Sequence, residues 1–170
     1  EQASELMVKA LLQDGKIISC GNGVDGALGQ LFACNLLSRF ENDRPALPAL
    51  VLSADGASLT AIAQSGGLTD IYARQIRALG QAGDTLLCIN SNEESNNLLR
   101  VVQVAHERDI RVVALTSAAD SELGSLLQQD DVEICLATER RPRVVELHTM
   151  VIHSLCELIE HKLFGSYIDS

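Results

Sequence analysis

The sequence predicts an α/β fold, a five-stranded parallel sheet with helices on both faces. Two observations carry this. Five short apolar runs alternate with stretches of helical periodicity, as repeated strand–helix–strand units require. Several of the runs are apolar on consecutive residues, the pattern of strands covered on both sides. The runs are residues 16–20 (KIISC), 49–53 (ALVLS), 85–90 (TLLCIN), 111–116 (RVVALT) and 132–136 (VEICL).

The elements follow in order. A helix over about 4–13 ends at Asp14-Gly15, a turn signal ahead of the first strand. The helix expected over 25–39 carries Leu28, Leu31, Phe32 and Leu36 on one face. A helix over 70–79 stops at Gly80-Gln-Ala-Gly83, before the third strand. Helices over 94–108 and 121–128 flank the fourth strand, which Arg108-Asp109 introduces. The last helix, about 143–163, carries Leu147, Met150, Val151, Leu155, Leu158, Ile159 and Leu163 in a broad apolar stripe. A stripe this wide suits burial on two sides, one of them by another subunit, so a homo-oligomer is expected.

Composition narrows the function classes. The 170 residues suit one domain. The net charge of −10 repels phosphate backbones and anionic membranes, and 3% aromatics without Trp leaves few rings for base stacking. Direct nucleic-acid binding and membrane binding are therefore not expected. Cys20, Cys34, Cys88, Cys135 and Cys156 are odd in number and form no CxxC, which argues for a reducing cytoplasm with most thiols buried in the core. No run is long and apolar enough for a membrane span, and no signal segment opens the chain. The chain begins at Glu1 rather than Met, so native sequence ahead of it is expected to be missing.

In open parallel sheets ligands sit beyond the carboxyl ends of the strands. Three segments stand out. Cys20-Gly-Asn-Gly-Val-Asp-Gly26 has the GxGxxG spacing, with Asp25 as a natural N-cap, but no acidic residue ends the second strand as in dinucleotide sites. Either a ligand loop or a tight capped turn reads this way. Ile89 to Asn97 is rich in Ser and Asn at a helix start, which suits a phosphate, while Glu93 and Glu94 compete for the same amides. In the last helix His153, Glu157 and His161 recur every four residues, a spacing seen in metal sites and more often on polar helix faces.

From Leu11 to Phe164 the chain resembles the sugar isomerase (SIS) domain family. The likeness lies in CGNG (20–23), RFENDRP (39–45), LTAIA (59–63), YARQIRALGQAGD (72–84), VVALT (112–116) and LCELIEHKLF (155–164). It implies a three-layer sandwich with strands in flavodoxin-like order, assembled as a homotetramer. The expected domain is a single SIS unit over 1–170, with the family's first helix truncated or absent. Within the family the chain resembles phosphoheptose isomerases and, more closely, the proteins that associate with the replication initiator DnaA.

Departures shape the functional expectation. Against the isomerase motif CGNGGSAADAQHFAAEL, this chain has Asp25 for Ser, Leu31 for His and Asn35 for the metal-binding Glu. In RIQExHxxxxH the Gln is Val145, and the final His is His153. The phosphate loop STSGNS becomes Asn90-Ser-Asn-Glu-Glu-Ser95. What the resemblance leaves of the sugar site is Asn22, Asp55, Ser91 and Ser95. Neither Leu nor Val can hold a metal, so no metal and no cofactor is expected. A proton-transfer isomerase needs a positioned acid and base, which the matching positions no longer supply. The resulting expectation is a non-catalytic adaptor, a homotetramer that binds DnaA and promotes replication initiation. Leu163 and Phe164 would be its exposed contact patch. The alternative is a phosphoheptose isomerase, acting on sedoheptulose 7-phosphate, or another sugar-phosphate-binding SIS protein.

Overall fold

The computed structural model of the chain describes residues 1–91, 95–118 and 122–168, the last three of these by their backbone alone. The helices are α1 (Gln2–Leu12), α2 (Val24–Leu37), α3 (Gly56–Gly66), α4 (Ala73–Leu79), α5 (Asn96–Glu107), α6 (Glu122–Ser125) and α7 (Arg141–Ile168). The strands are β1 (Ile17–Gly21), β2 (Ala49–Val51), β3 (Thr85–Ile89), β4 (Arg111–Ser117) and β5 (Val132–Leu136). They form one parallel sheet in the order β2-β1-β3-β4-β5, so the α/β reading and the strand order hold.

Side chains leave a strand on alternate faces, and the two cores follow that parity. Ile18, Cys20, Leu86, Cys88, Val112 and Ala114 point to the layer of α3, α4 and α5. Ile17, Leu87, Ile89, Val113 and Leu115 point to the layer of α1, α2 and α7. The three central strands are almost wholly buried. β2 is half-buried and β5 alternates half-buried with exposed, because each has a neighbour on one side only.

Three local expectations change. Helix α3 has no buried residue and packs through half-buried Leu59, Ile62 and Ala63, so its apolar periodicity is too faint to read. Cys34 and Cys135 are exposed rather than core; Cys20, Cys88 and Cys156 are buried, and all five are free. The stripe on α7 divides: Leu155 and Ile159 are buried, while Leu147 and Met150 face outward.

The 38–48 segment is fastened between α2 and α7 by a buried ion pair. Arg44 Nε lies 2.7 Å from Glu160 Oε1, with both side chains nearly inaccessible. The guanidinium also donates to the carbonyls of Leu36, Asn35 and Pro45. Phe40 N–H donates to the same carboxylate oxygen. Burial works against the charge on Glu160, but the Phe40 amide and Arg44 outweigh it and hold the carboxyl below its usual range. Among the described residues no helix is long and apolar enough to cross a membrane.

Candidate functional site

β1 and β3 are neighbours in the sheet, and the helices that follow them lie on opposite faces, α2 after β1 on one and α5 after β3 on the other. The switch point is therefore the gap beyond β1 and β3, where this topology places ligands. The segments that meet there are Asn22–Asp25 after β1, Asn90–Ser91 after β3, Ser95–Asn97 at the start of α5, Thr116–Ser117 at the end of β4, and His148 on α7.

The turn after β1 is tight. Gly23 has φ +59, a conformation that favours glycine, and it caps α2. A Cβ on Gly21 would stand 2.6 Å from the Asp25 carbonyl carbon and 2.7 Å from its Cβ, so only glycine lets α2 begin this close to β1. Asp25 is thus not the N-cap expected of it. It sits inside the first turn, wholly buried, and its Oδ2 accepts the N–H and the hydroxyl of Ser91 at 3.0 and 2.9 Å. Burial pushes the Asp25 carboxyl above its ordinary range, against the Ser91 bonds and the pull of Arg141 and of His148 when it is protonated.

His148 comes from the buried face of α7, with Nε2 at 3.2 Å from the Thr116 carbonyl. That carbonyl can only accept, so Nε2 carries the proton and Nδ1 the lone pair. Burial lowers the His148 pKa despite the opposing pull of the Thr116 carbonyl and Asp25, which keeps the ring neutral near pH 7. Three buried side-chain atoms have no hydrogen-bond partner among the described residues: Asp25 Oδ1, Ser117 Oγ and His148 Nδ1. Buried polar atoms are almost always paired, so three at one end of the sheet mark it as a place built for chemistry or for a bound group.

The expected sugar-site residues take these places. Asn22 is half-buried and exchanges two amide bonds with Asn97, at 2.9 and 2.8 Å. The Tyr72 hydroxyl donates to the Gly21 carbonyl and reaches Asn22 Oδ1. Ser91 is buried on Asp25. Ser95 caps α5 at its backbone and reaches Asn90 Oδ1 at 3.4 Å. Asn22, Ser91 and Ser95 are therefore brought together. Asp55 stands apart and exposed beyond β2, where its carboxylate accepts from Ala57 N–H and from the N–H and hydroxyl of Ser58, capping α3. Glu93 and Glu94 lie outside the described residues.

His148 shares the last helix with His153 and His161, but the sequence assigns it no role. Its signal is position: it falls one turn after buried Val144 and one before buried Ile152. The spaced trio His153, Glu157 and His161 is exposed to solvent, and His153 stacks at a tilt on Phe40.

The metal that the resemblance implies does not fit this donor set. Its four positions hold Leu31, Asn35, Val145 and His153, of which two are hydrocarbon. Asn35 is engaged with the Cys156 thiol, which burial pushes up to about 12. No group of three His, Cys, Asp or Glu poised for a metal occurs among the described residues.

Comparison with known proteins corrects the expected function. A phosphoheptose isomerase from Chromohalobacter salexigens is 46% identical over 166 residues, covering 98% of this chain and 84% of that protein. One from Coxiella burnetii is 44% identical over 168 residues, covering 99% and 84%. The structure of phosphoheptose isomerase GmhA from Neisseria gonorrhoeae superposes with a TM-score of 0.88 at 38% identity, covering 94% of this chain and 83% of that one. That of a phosphoheptose isomerase from Francisella tularensis gives 0.90 at 37%, covering 94% and 84%. These relatives overturn the reading as a non-catalytic DnaA adaptor. Leu163 and Phe164, the expected contact pair, are half-buried and pack against the core beneath α7. The SIS domain family matches residues 1–117, and with relatives this similar along nearly its whole length the chain belongs to that family.

Proposed function

We propose that this chain is a sugar-phosphate isomerase that interconverts a ketose phosphate and its aldose, with sedoheptulose 7-phosphate as the first substrate to test. The observation that carries the reading is identity of 43–46% to proteins named phosphoheptose isomerase, over at least 96% of this chain. The geometry supports it. An aldose–ketose shift moves one proton between neighbouring carbons and another between their oxygens, so it needs an acid and a base together. His148 offers a neutral imidazole with a free lone pair on Nδ1, and Asp25 is a carboxyl whose burial favours the protonated form. In this reading Ser91, Ser95 and the start of α5 hold the phosphate, Asn22 meets sugar hydroxyls, and Asp55 stands at the rim.

The reading includes a homotetramer, supported by the outward-facing Leu147 and Met150 on α7 and Leu37 at the end of α2. It also includes a reducing, cytoplasmic setting, supported by five free thiols. Product analysis tests the activity. Sedoheptulose 7-phosphate should be converted at roughly 1 per second or faster. His148→Gln, with its fold intact, should lose about a hundredfold or more. Folded protein that leaves the sugar phosphate unchanged would refute the proposal.

A further inference from the structure

Ser91 is the second residue of the segment that matches the family's phosphate loop, yet both of its donors are already taken. Its N–H and its hydroxyl point at one oxygen of Asp25. A carboxylate on a backbone amide and a hydroxyl is the charge-assisted arrangement that a phosphate oxygen would make. The isomerase motif carries Ser at this position, where this chain carries the acid. Asp25 is wholly buried, and the close contact of Gly21 with its backbone fixes where its side chain starts. An incoming anion would meet a like charge in a dry place, on donors that cannot serve both.

We propose that Asp25 is an internal competitor for the anionic group of the ligand, and that a phosphate docks at Ser91 only as Asp25 takes up a proton and releases those donors. The inference rests on the sugar-phosphate reading for the identity of the ligand, and it concerns how that ligand is admitted. Among the described residues the groups facing Asp25 are few. From α7 come His148, which favours the carboxylate when protonated, and Arg141, which favours it throughout. The Tyr72 hydroxyl lies toward the other layer, and burial pushes its pKa well above the ordinary range, so it carries no charge near neutral pH. Burial outweighs the favourable pair, so the proton has a place to go. On Oδ1 it turns an acceptor without a partner into a donor. The consequence is linkage: anion binding takes up a proton, and affinity falls as pH rises.

Sulfate is the probe, because its charge is constant between pH 5.5 and 8 whereas that of a phosphate ester is not. Calorimetric titrations compare the natural protein with Asp25→Asn and Asp25→Ser, each shown folded by circular dichroism and a cooperative melt. For the natural protein, sulfate affinity should rise up to about tenfold per pH unit as pH falls, the slope of one linked proton. Asp25→Asn and Asp25→Ser should bind sulfate at least about tenfold more tightly at pH 7.5, with a nearly flat pH profile. Unchanged affinity in the folded variants overturns the proposal, as does sulfate binding to none of the three proteins. A slope that survives in both variants also overturns it, and assigns the proton to His148. Turnover of sedoheptulose 7-phosphate is measured on the same samples. Linked sulfate binding without turnover sinks the isomerase reading and leaves this inference standing, whereas turnover with pH-independent sulfate binding does the reverse.

Discussion

Replacing Arg44 by Ala should be among the most damaging single changes outside the sheet. The guanidinium is buried against Glu160 at 2.7 Å and holds three carbonyls besides. Its removal leaves Glu160 charged and buried, with only the Phe40 amide of the bonds described above. Removing one partner of a buried ion pair costs about 3–5 kcal/mol. For a chain of this length each kcal/mol shifts Tm by about 2–4 °C, so a fall of roughly 6–20 °C is expected. Glu160 has a folded pKa below its unfolded value, so its contribution is present above about pH 4.5 and is lost as pH falls through the folded pKa. The gap between the natural protein and the variant should therefore narrow as pH falls through that folded pKa and close below it. Thermal melts at fixed protein concentration from pH 3 to 8 measure both effects. The double change Arg44→Met with Glu160→Leu should recover most of the loss, because an apolar pair carries no desolvation penalty. A loss below about 1 kcal/mol, or a gap between the two proteins that does not close in acid, would refute the reasoning.

Three further outcomes are expected. Gly21→Ala should destabilise the protein by about 1–3 kcal/mol in urea unfolding, because the added methyl meets α2 backbone that must move. Titration with a disulfide reagent should find no more than two fast thiols per folded chain, those of Cys34 and Cys135, and all five in guanidinium. Light scattering at micromolar concentration should give the mass of four chains, and the variant Leu147→Glu with Met150→Glu should lower it; a monomer mass for the natural protein would contradict the interface on α7.

The sheet was legible because its central strands are apolar without interruption, and only strands covered on both faces read so. Helix α3 was not, since a helix that buries no residue leaves no stripe; its one signal was Asp55, read as a ligand residue although it caps α3. The loop glycines and Ser91 were found from their place after strands. The role of Asp25 was not, because a first-turn acid ordinarily faces solvent, and nothing local shows that it reaches Ser91, 66 residues away. His148 was hidden likewise: the pattern gives its face of α7, but not that Thr116 would fix its tautomer. The functional expectation failed for a related reason. The positions matched to metal ligands hold no acid–base pair, whereas Asp25 and His148 come to one end of the sheet only in the folded chain.

Proton NMR of sedoheptulose 7-phosphate incubated with the assembled protein in deuterated water bears most directly on the isomerase claim. A proton-transfer isomerase should generate the aldose and exchange solvent deuterium into the carbon next to the carbonyl, and His148→Gln should stop both. A ketose phosphate that stays unconverted and unexchanged for hours beside folded, tetrameric protein would contradict the claim.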